Sequence, residues 1–134
     1  MKHFIPFVFL SLMFAGCGGT VSVSGTVTME GGDPVSRGYI SFNNGSYETR
    51  AMLREDGSYI VDTDGRGMQK GEYRVFFTAT EGYELVPTPG SSTPTSVRIP
   101  LIDDKYSSLE TTDLTVNIDR STVYSPVLIP APKK

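Results

Sequence analysis

A chain of 134 residues with 12 basic residues, 15 acidic residues and one histidine carries a net charge of −3 at pH 7. Mild acidity without a basic cluster excludes the electrostatic footprint of a nucleic-acid-binding domain, so no nucleic-acid partner is expected. A single cysteine excludes an internal disulfide, and the length suits one domain with a modest core.

Met1-Lys2-His3 is a short basic head, and Phe4 to Phe14 is an apolar run of eleven residues interrupted by Pro6 and Ser11. Ala15-Gly16 then supplies small residues, completing the anatomy of a secretory signal peptide. The run is well short of the ~20 residues a permanent membrane helix needs. Residues 1–16 are therefore expected to be removed, with cleavage between Gly16 and Cys17. Taking Lys2 from the 12 basic residues leaves 11 against 15 acidic, a net charge of about −4. His3, the only histidine, leaves with it.

Phe14-Ala15-Gly16-Cys17 resembles the bacterial lipobox, in which the cysteine is lipidated before cleavage, although Phe14 stands where leucine is usual. The resemblance implies a diacylglyceryl thioether on Cys17 and an acyl chain such as palmitate on its amine. A covalent lipid is then the one non-protein group, with no other cofactor, and the lipid bilayer is the first partner. Each buried methylene contributes ~0.8 kcal/mol, so two or three chains hold such a protein to the membrane. Gly18 after the cysteine, in place of Asp, fits the sorting rule that sends bacterial lipoproteins to the outer membrane, facing the periplasm. Residues 17–20 form a short tether, since Gly18, Gly19 and Thr20 extended reach only ~10 Å.

From residue 21 onward the chain alternates and turns; glycine and proline together make 23 of 134 residues. Val21, Val23, Val27 and Met29 alternate with Ser22, Ser24, Thr26 and Thr28, predicting a half-buried strand with Gly25 on the inward phase. Glu30 to Pro34 is a turn. Tyr39 to Phe42 is a second strand with Ile40 and Phe42 on one face, and Asn43 to Ser46 turns the chain again. Thr49, Ala51 and Leu53 line a third strand, which Glu55-Asp56-Gly57 joins as a tight hairpin to a fourth over 58–62. Gly71 to Ala79, with Tyr73, Val75, Phe77 and Ala79 on one face, reads as a central strand.

Between Glu81 and Ser96 the alternation vanishes into a loop holding Pro87, Pro89 and Pro94. Loops of this length in a compact domain are uncommon and are usually functional or disordered. Residues 97–102 read as a brief pairing, 103–113 as loop, Leu114 to Ile118 as a strand, and 123–129 as a last strand before a polar tail over 130–134.

Val23-Ser24-Gly25-Thr26-Val27, Pro34-Val35, Gly38-Tyr39-Ile40-Ser41-Phe42, Asp56-Gly57-Ser58-Tyr59 and Gly71-Glu72-Tyr73-Arg74-Val75 together resemble the carboxypeptidase regulatory-like domain. Lys70 departs from the proline that family tends to place before the Gly-x-Tyr strand. The resemblance implies an all-β fold, a transthyretin-like or prealbumin-like antiparallel β-sandwich of seven or eight strands over 21–129. It implies no catalysis.

With no histidine after residue 16, Ser-His-Asp and Cys-His catalysis and His-ligated zinc are excluded for side chains of the processed chain. Asp62-x-Asp64-Gly65 and Asp103-Asp104 are the candidate ligands for a hard cation such as calcium, with plain turn chemistry as the competing and preferred reading. Glu55, Asp56, Asp62 and Asp64 fall at strand ends with no tryptophan in the chain to form a sugar platform, which argues against glycoside hydrolysis. Tyr83 and Leu85 make the 81–96 loop the candidate binding segment, although packing over an open sheet edge is the preferred expectation for both. The functional expectation is a non-enzymatic envelope lipoprotein, its sandwich a structural or protein-interaction module with an envelope protein partner. The alternative is a carbohydrate or small-ligand binding module using the 81–96 loop.

Overall fold

The computed structural model describes residues 21–61 and 68–132; the lipobox, Cys17, Asp62 and Asp64 lie outside them. Eleven strands are described: β1 (Val23–Thr26), β2 (Thr28–Met29), β3 (Tyr39–Asn43), β4 (Glu48–Met52), β5 (Ser58–Val61), β6 (Gly71–Thr78), β7 (Gly82–Val86), β8 (Thr95–Ile99), β9 (Leu114–Ile118), β10 (Thr122–Val123) and β11 (Val127–Leu128). One 3₁₀ turn, Asp104–Ser107, precedes β9.

Two layers enclose the core. The first is an antiparallel sheet in the order β4-β3-β6-β9. β6 is its central and longest strand, as the density of apolar residues between Gly71 and Ala79 predicts. The second layer runs β10-β1-β5 and is continued beyond Val27 by the pair β11-β2. The fold is the expected all-β, sandwich-like arrangement, antiparallel apart from β1 with β10 and β2 with β11, which pair in parallel.

Alternation in the sequence becomes alternation between core and outside. Val23, Val27, Ile40, Phe42, Ala51, Tyr59, Val61, Tyr73, Val75 and Phe77 are buried, while Thr26, Arg50, Ile60, Glu72 and Arg74, on β1, β4, β5 and β6, are exposed. Phe42 joins the layers: its ring centroid lies 6.1 Å from that of Tyr59 on β5, 6.4 Å from Tyr73 on β6 and 6.3 Å from Tyr124 between β10 and β11. Such tilted and edge-on aromatic pairs add to the area they bury.

Gly25 is inward, as expected, for a reason the alternation alone does not reveal. A Cβ there would lie 1.9 Å from the Tyr124 carbonyl oxygen, so the absence of a side chain lets the β10–β11 segment cross the first strand in contact with its backbone. The same carbonyl accepts the Tyr59 hydroxyl at 2.6 Å.

Asp56-Gly57 does turn the chain, with Arg54 N donating to Ser58 O at 2.9 Å, but it does not make the expected hairpin. Among the described residues β4 pairs with β3 and β5 with β1, so the turn carries the chain from one layer to the other. Leu53, buried just before the turn, draws the chain across the edge of the core. Asp56 accepts the Ser58 amide at 2.9 Å, and hydrogen bonds from the Ser58 hydroxyl and amide hold its carboxyl below the usual carboxylate range. The expected last strand over 123–129 is two short strands interrupted at Tyr124–Pro126. Pro130 bridges to Ile102 and Ala131 N donates to Leu101 O at 3.1 Å, so the tail begins as a bound segment.

The buried phenols make the fold sensitive to alkali. Burial pushes the Tyr59 phenol well above its ordinary 10.0. Burial, then the charge of Asp113 and the nearby Tyr106, pushes Tyr124 up to about 12. Above pH ~10 the unfolded chain releases these protons and the folded chain retains them, so the unfolded state binds fewer protons and stability falls as pH rises. The urea midpoint is expected to hold level between pH ~7 and ~9 and then drop toward pH ~12, with a shallower drop in Tyr59→Phe. A midpoint that stays level to the alkaline limit would contradict this account.

Candidate functional site

The 81–96 segment is not an irregular loop. Gly82 to Val86 pair antiparallel with Thr95 to Ile99, in the register Tyr83 opposite Arg98 and Leu85 opposite Ser96. Thr88 O accepts Ser91 N at 3.1 Å across Pro89-Gly90, the pairing expected of proline and glycine at the centre of a turn. The three prolines of the segment therefore mark the tip and its flanks, not the whole stretch. The predicted brief pairing over 97–102 is the second half of this hairpin, shifted to begin at Thr95.

The preferred packing role for Tyr83 and Leu85 is overturned. Tyr83 is 62 % and Leu85 67 % exposed, and on the opposite face Val86 and Val97 are 41 % and 43 % exposed. A half-buried strand alternates because one face meets a core; this ribbon has no core on either face, so its sequence carries no period. Among the described residues both of its edges are also unpaired, since β7 and β8 pair there only with each other.

The root of the ribbon is held firmly. Gly38, with φ 96°, lies against the end of β6, and a Cβ there would meet the Thr78 carbonyl oxygen at 2.5 Å and the Ala79 carbonyl oxygen at 2.8 Å. Ala79 has φ 55°, the one left-handed non-glycine residue among those described, and Thr80 after it is buried. For alanine this backbone region costs about 1 kcal/mol or more and persists only where surrounding packing imposes it. Ala79 therefore ends β6 one residue earlier than its inward phase predicts and turns the chain into the hairpin.

At this root an open depression of about 600 Å³ is lined by Arg37, Ala79, Glu81, Tyr83 and Arg98. Arg37 precedes β3 and its guanidinium donates to the Glu81 carbonyl at 3.5 Å. Arg98 shares the face of Tyr83 by register. Among the described residues neither arginine has a carboxylate within 4.0 Å, the ion pairs there being Lys105 with Asp113 and Arg120 with Asp119. Other arginines are engaged: Arg50 lies 4.4 Å from the centre of the Tyr39 ring and Arg74 donates to the Thr112 carbonyl at 3.1 Å. The cleft thus offers an exposed aromatic residue and two arginines in one opening, chemistry suited to an anionic group with an apolar neighbour.

Arg37 and Arg98 have no distinguishing signal in the sequence, being 61 positions apart and brought together only by the turn at Ala79. Asp103 has a structural role: its carboxylate accepts Lys105 N at 3.0 Å and caps the 3₁₀ turn, as turn chemistry predicts. Among the described residues no three His, Cys, Asp or Glu side chains gather as a metal site, and no helix is long and apolar enough to cross a membrane.

No protein-family model matches the chain, and no curated protein matches it. Among solved structures it is similar to a DUF3823 family protein from Bacteroides ovatus, with 13 % identity over 83 % of this chain and a TM-score of 0.46. It is likewise similar to a DUF3823 family protein from Parabacteroides merdae, with 16 % identity over 84 % of this chain and a TM-score of 0.45. The alignments span 45 % and 47 % of those two chains, less than half of each.

Proposed function

We propose that this chain is a non-enzymatic envelope lipoprotein, anchored by a lipid on Cys17, whose carboxypeptidase regulatory-like sandwich presents the β7–β8 hairpin to a partner protein. The observation that carries this reading is the hairpin itself. A two-stranded ribbon is marginally stable alone in water, and free strand edges with exposed apolar side chains are the means by which sheets recruit a further strand. Four of its ten strand residues, Tyr83, Leu85, Val86 and Val97, are large, apolar and exposed.

The topology suits such a role for an anchored protein. Val21 bridges Met68, three residues before β6 begins at Gly71, while the hairpin leaves the far end of β6 after Thr78. Eight residues of strand separate the two ends by roughly 23 Å. An anchor just before Val21 and a hairpin at the opposite pole leave the ribbon accessible from the side away from the bilayer.

The test is photocrosslinking in the host cell, with a photoreactive phenylalanine analogue at Leu85 and, as comparison, at Met52 and Ile60, exposed apolar positions on β4 and β5. The expected result is one discrete protein adduct from Leu85 and none from the other two. Equal adducts at all three positions, or none, would remove the interaction reading. The cleft favours a second reading, a saccharide or small ligand held on Tyr83, for which glycan adducts without protein at Leu85 are the corresponding outcome.

A further inference from the structure

The cleft and the free edge of β7 lie together. Ala79, Glu81 and Tyr83, which line the depression, fall at alternate positions on the chain entering and forming β7, and Leu85 continues the same face. Arg37 stands at the start of this line, where it holds the Glu81 carbonyl, and Arg98 lies across from Tyr83. Glu81 is the one acidic residue among the five lining residues, leaving a net positive lining; Glu84 belongs to the other face, opposite Val97. A strand added to β7 would present alternate side chains to this face, one beside Tyr83 with Arg98 one strand further on, and the next, two residues on, beside Leu85.

We infer that the cleft and the β7 edge together take an extended strand of a partner protein carrying a carboxylate and, two residues further along, an apolar side chain. The inference rests on the interaction reading and specifies the chemistry of its partner. Charge complementarity selects the carboxylate, because Arg37 and Arg98 line one opening with a net positive lining and, among the described residues, neither has a carboxylate within 4.0 Å. The backbone row of β7, unpaired among the described residues, selects a polypeptide over a saccharide, since only a strand satisfies alternate N–H and C=O groups along an edge. Close packing around Gly38 and buried Thr80 fixes the root of the hairpin, and Arg37 is tied to it through the Glu81 carbonyl, so this part of the cleft is formed before a partner arrives, which lowers the ordering cost of binding.

The test uses the full-length membrane protein extracted in detergent. The probes are the blocked peptide Thr-Glu-Thr-Val-Thr, its counterpart with Lys for Glu, and an oligogalacturonate as a carboxylate of saccharide type. Binding is read by fluorescence anisotropy at low and high salt. The Glu peptide is expected to bind, to weaken about tenfold or more in Arg98→Gln and in Arg37→Gln, and to lose affinity with added salt; a tenfold change corresponds to ~1.4 kcal/mol. Arg120→Gln, at the opposite pole beside β10, is expected to bind as the parent does. Near-ultraviolet circular dichroism checks that each variant keeps its tyrosine packing. Equal binding of the Lys peptide, indifference to Arg98→Gln, or binding of oligogalacturonate in place of peptide would each overturn the inference. Should the Leu85 crosslink persist while these probes fail, the partner chemistry is wrong and the interaction reading stands; loss of the crosslink itself would remove both.

Discussion

Gly25→Ala is expected to destabilise the sandwich by about 3 kcal/mol or more, a loss comparable to truncating a large core side chain. The added methyl would lie 1.9 Å from the Tyr124 carbonyl oxygen, and the obstacle is backbone, which cannot move aside by changing a rotamer. The β10–β11 segment must shift away, and its parallel pairings Val23 with Thr122 and Thr28 with Val127 lie on either side of the clash. The Tyr59 hydroxyl then loses the carbonyl it donates to, adding the cost of an unsatisfied buried donor, about 1 kcal/mol or more. Against a total stability of about 5–15 kcal/mol for a domain, this lowers the urea midpoint sharply and leaves some molecules unfolded at 37 °C. Ser24→Ala, one residue earlier and on the outer face, serves as the reference and is expected to fall within about 0.5 kcal/mol of the parent. A Gly25→Ala midpoint matching that of Ser24→Ala would show that the crossing is looser than described.

Cys17→Ser is expected to abolish lipidation and the processing that follows it. Oxygen does not replace sulfur in the proposed thioether, so the variant lacks the diacylglyceryl group and the cleavage that depends on it. Two acyl chains at ~0.8 kcal/mol per methylene make the anchor, and the retained eleven-residue apolar run, short of the ~20 residues of a membrane span, does not replace it. In carbonate-washed membranes of the host, the parent is expected in the pellet with incorporated radiolabelled palmitate, and the variant unlabelled and longer by the retained leader. Recovery of a processed, membrane-bound serine variant would end the lipid-anchor proposal. The β7–β8 interaction would remain to be tested in that case, since it depends on the described domain and not on the leader.

These two substitutions separate what the chain announces locally from what it does not. The all-β class and the inward faces of β1, β3 and β6 were legible, because strands against a core bury every second residue and the alternation of Val23 with Ser24, or of Val75 with Arg74, is a direct record of that burial. The turn at Asp56-Gly57 was legible as a turn, but the layer that each flanking strand joins was not; turn chemistry sets a local backbone path and says nothing about distant pairing partners.

The candidate site was legible only in outline. Tyr83 and Leu85 stood out as aromatic and apolar residues in an unpatterned stretch, and their exposure was the opposite of the packing expected for them. A ribbon with both faces outside the core leaves no period to read, so the hairpin register and the pairing of Tyr83 with Arg98 emerge only when the chain is folded. Arg37 reaches the same cleft through the left-handed turn at Ala79, a conformation that alanine does not signal and that packing around Gly38 imposes.

The sequence by itself determined the strand periods, the turns and the absence of histidine after residue 16, because each of these resides in neighbouring residues or in composition. Only the tertiary structure decided that Gly25 is a crossing point, that β4 and β5 part into different layers, and that two arginines and a tyrosine meet at the root of an exposed hairpin. Those features are contacts between segments far apart in the chain, and no local pattern encodes which distant backbone will come to lie against a given residue.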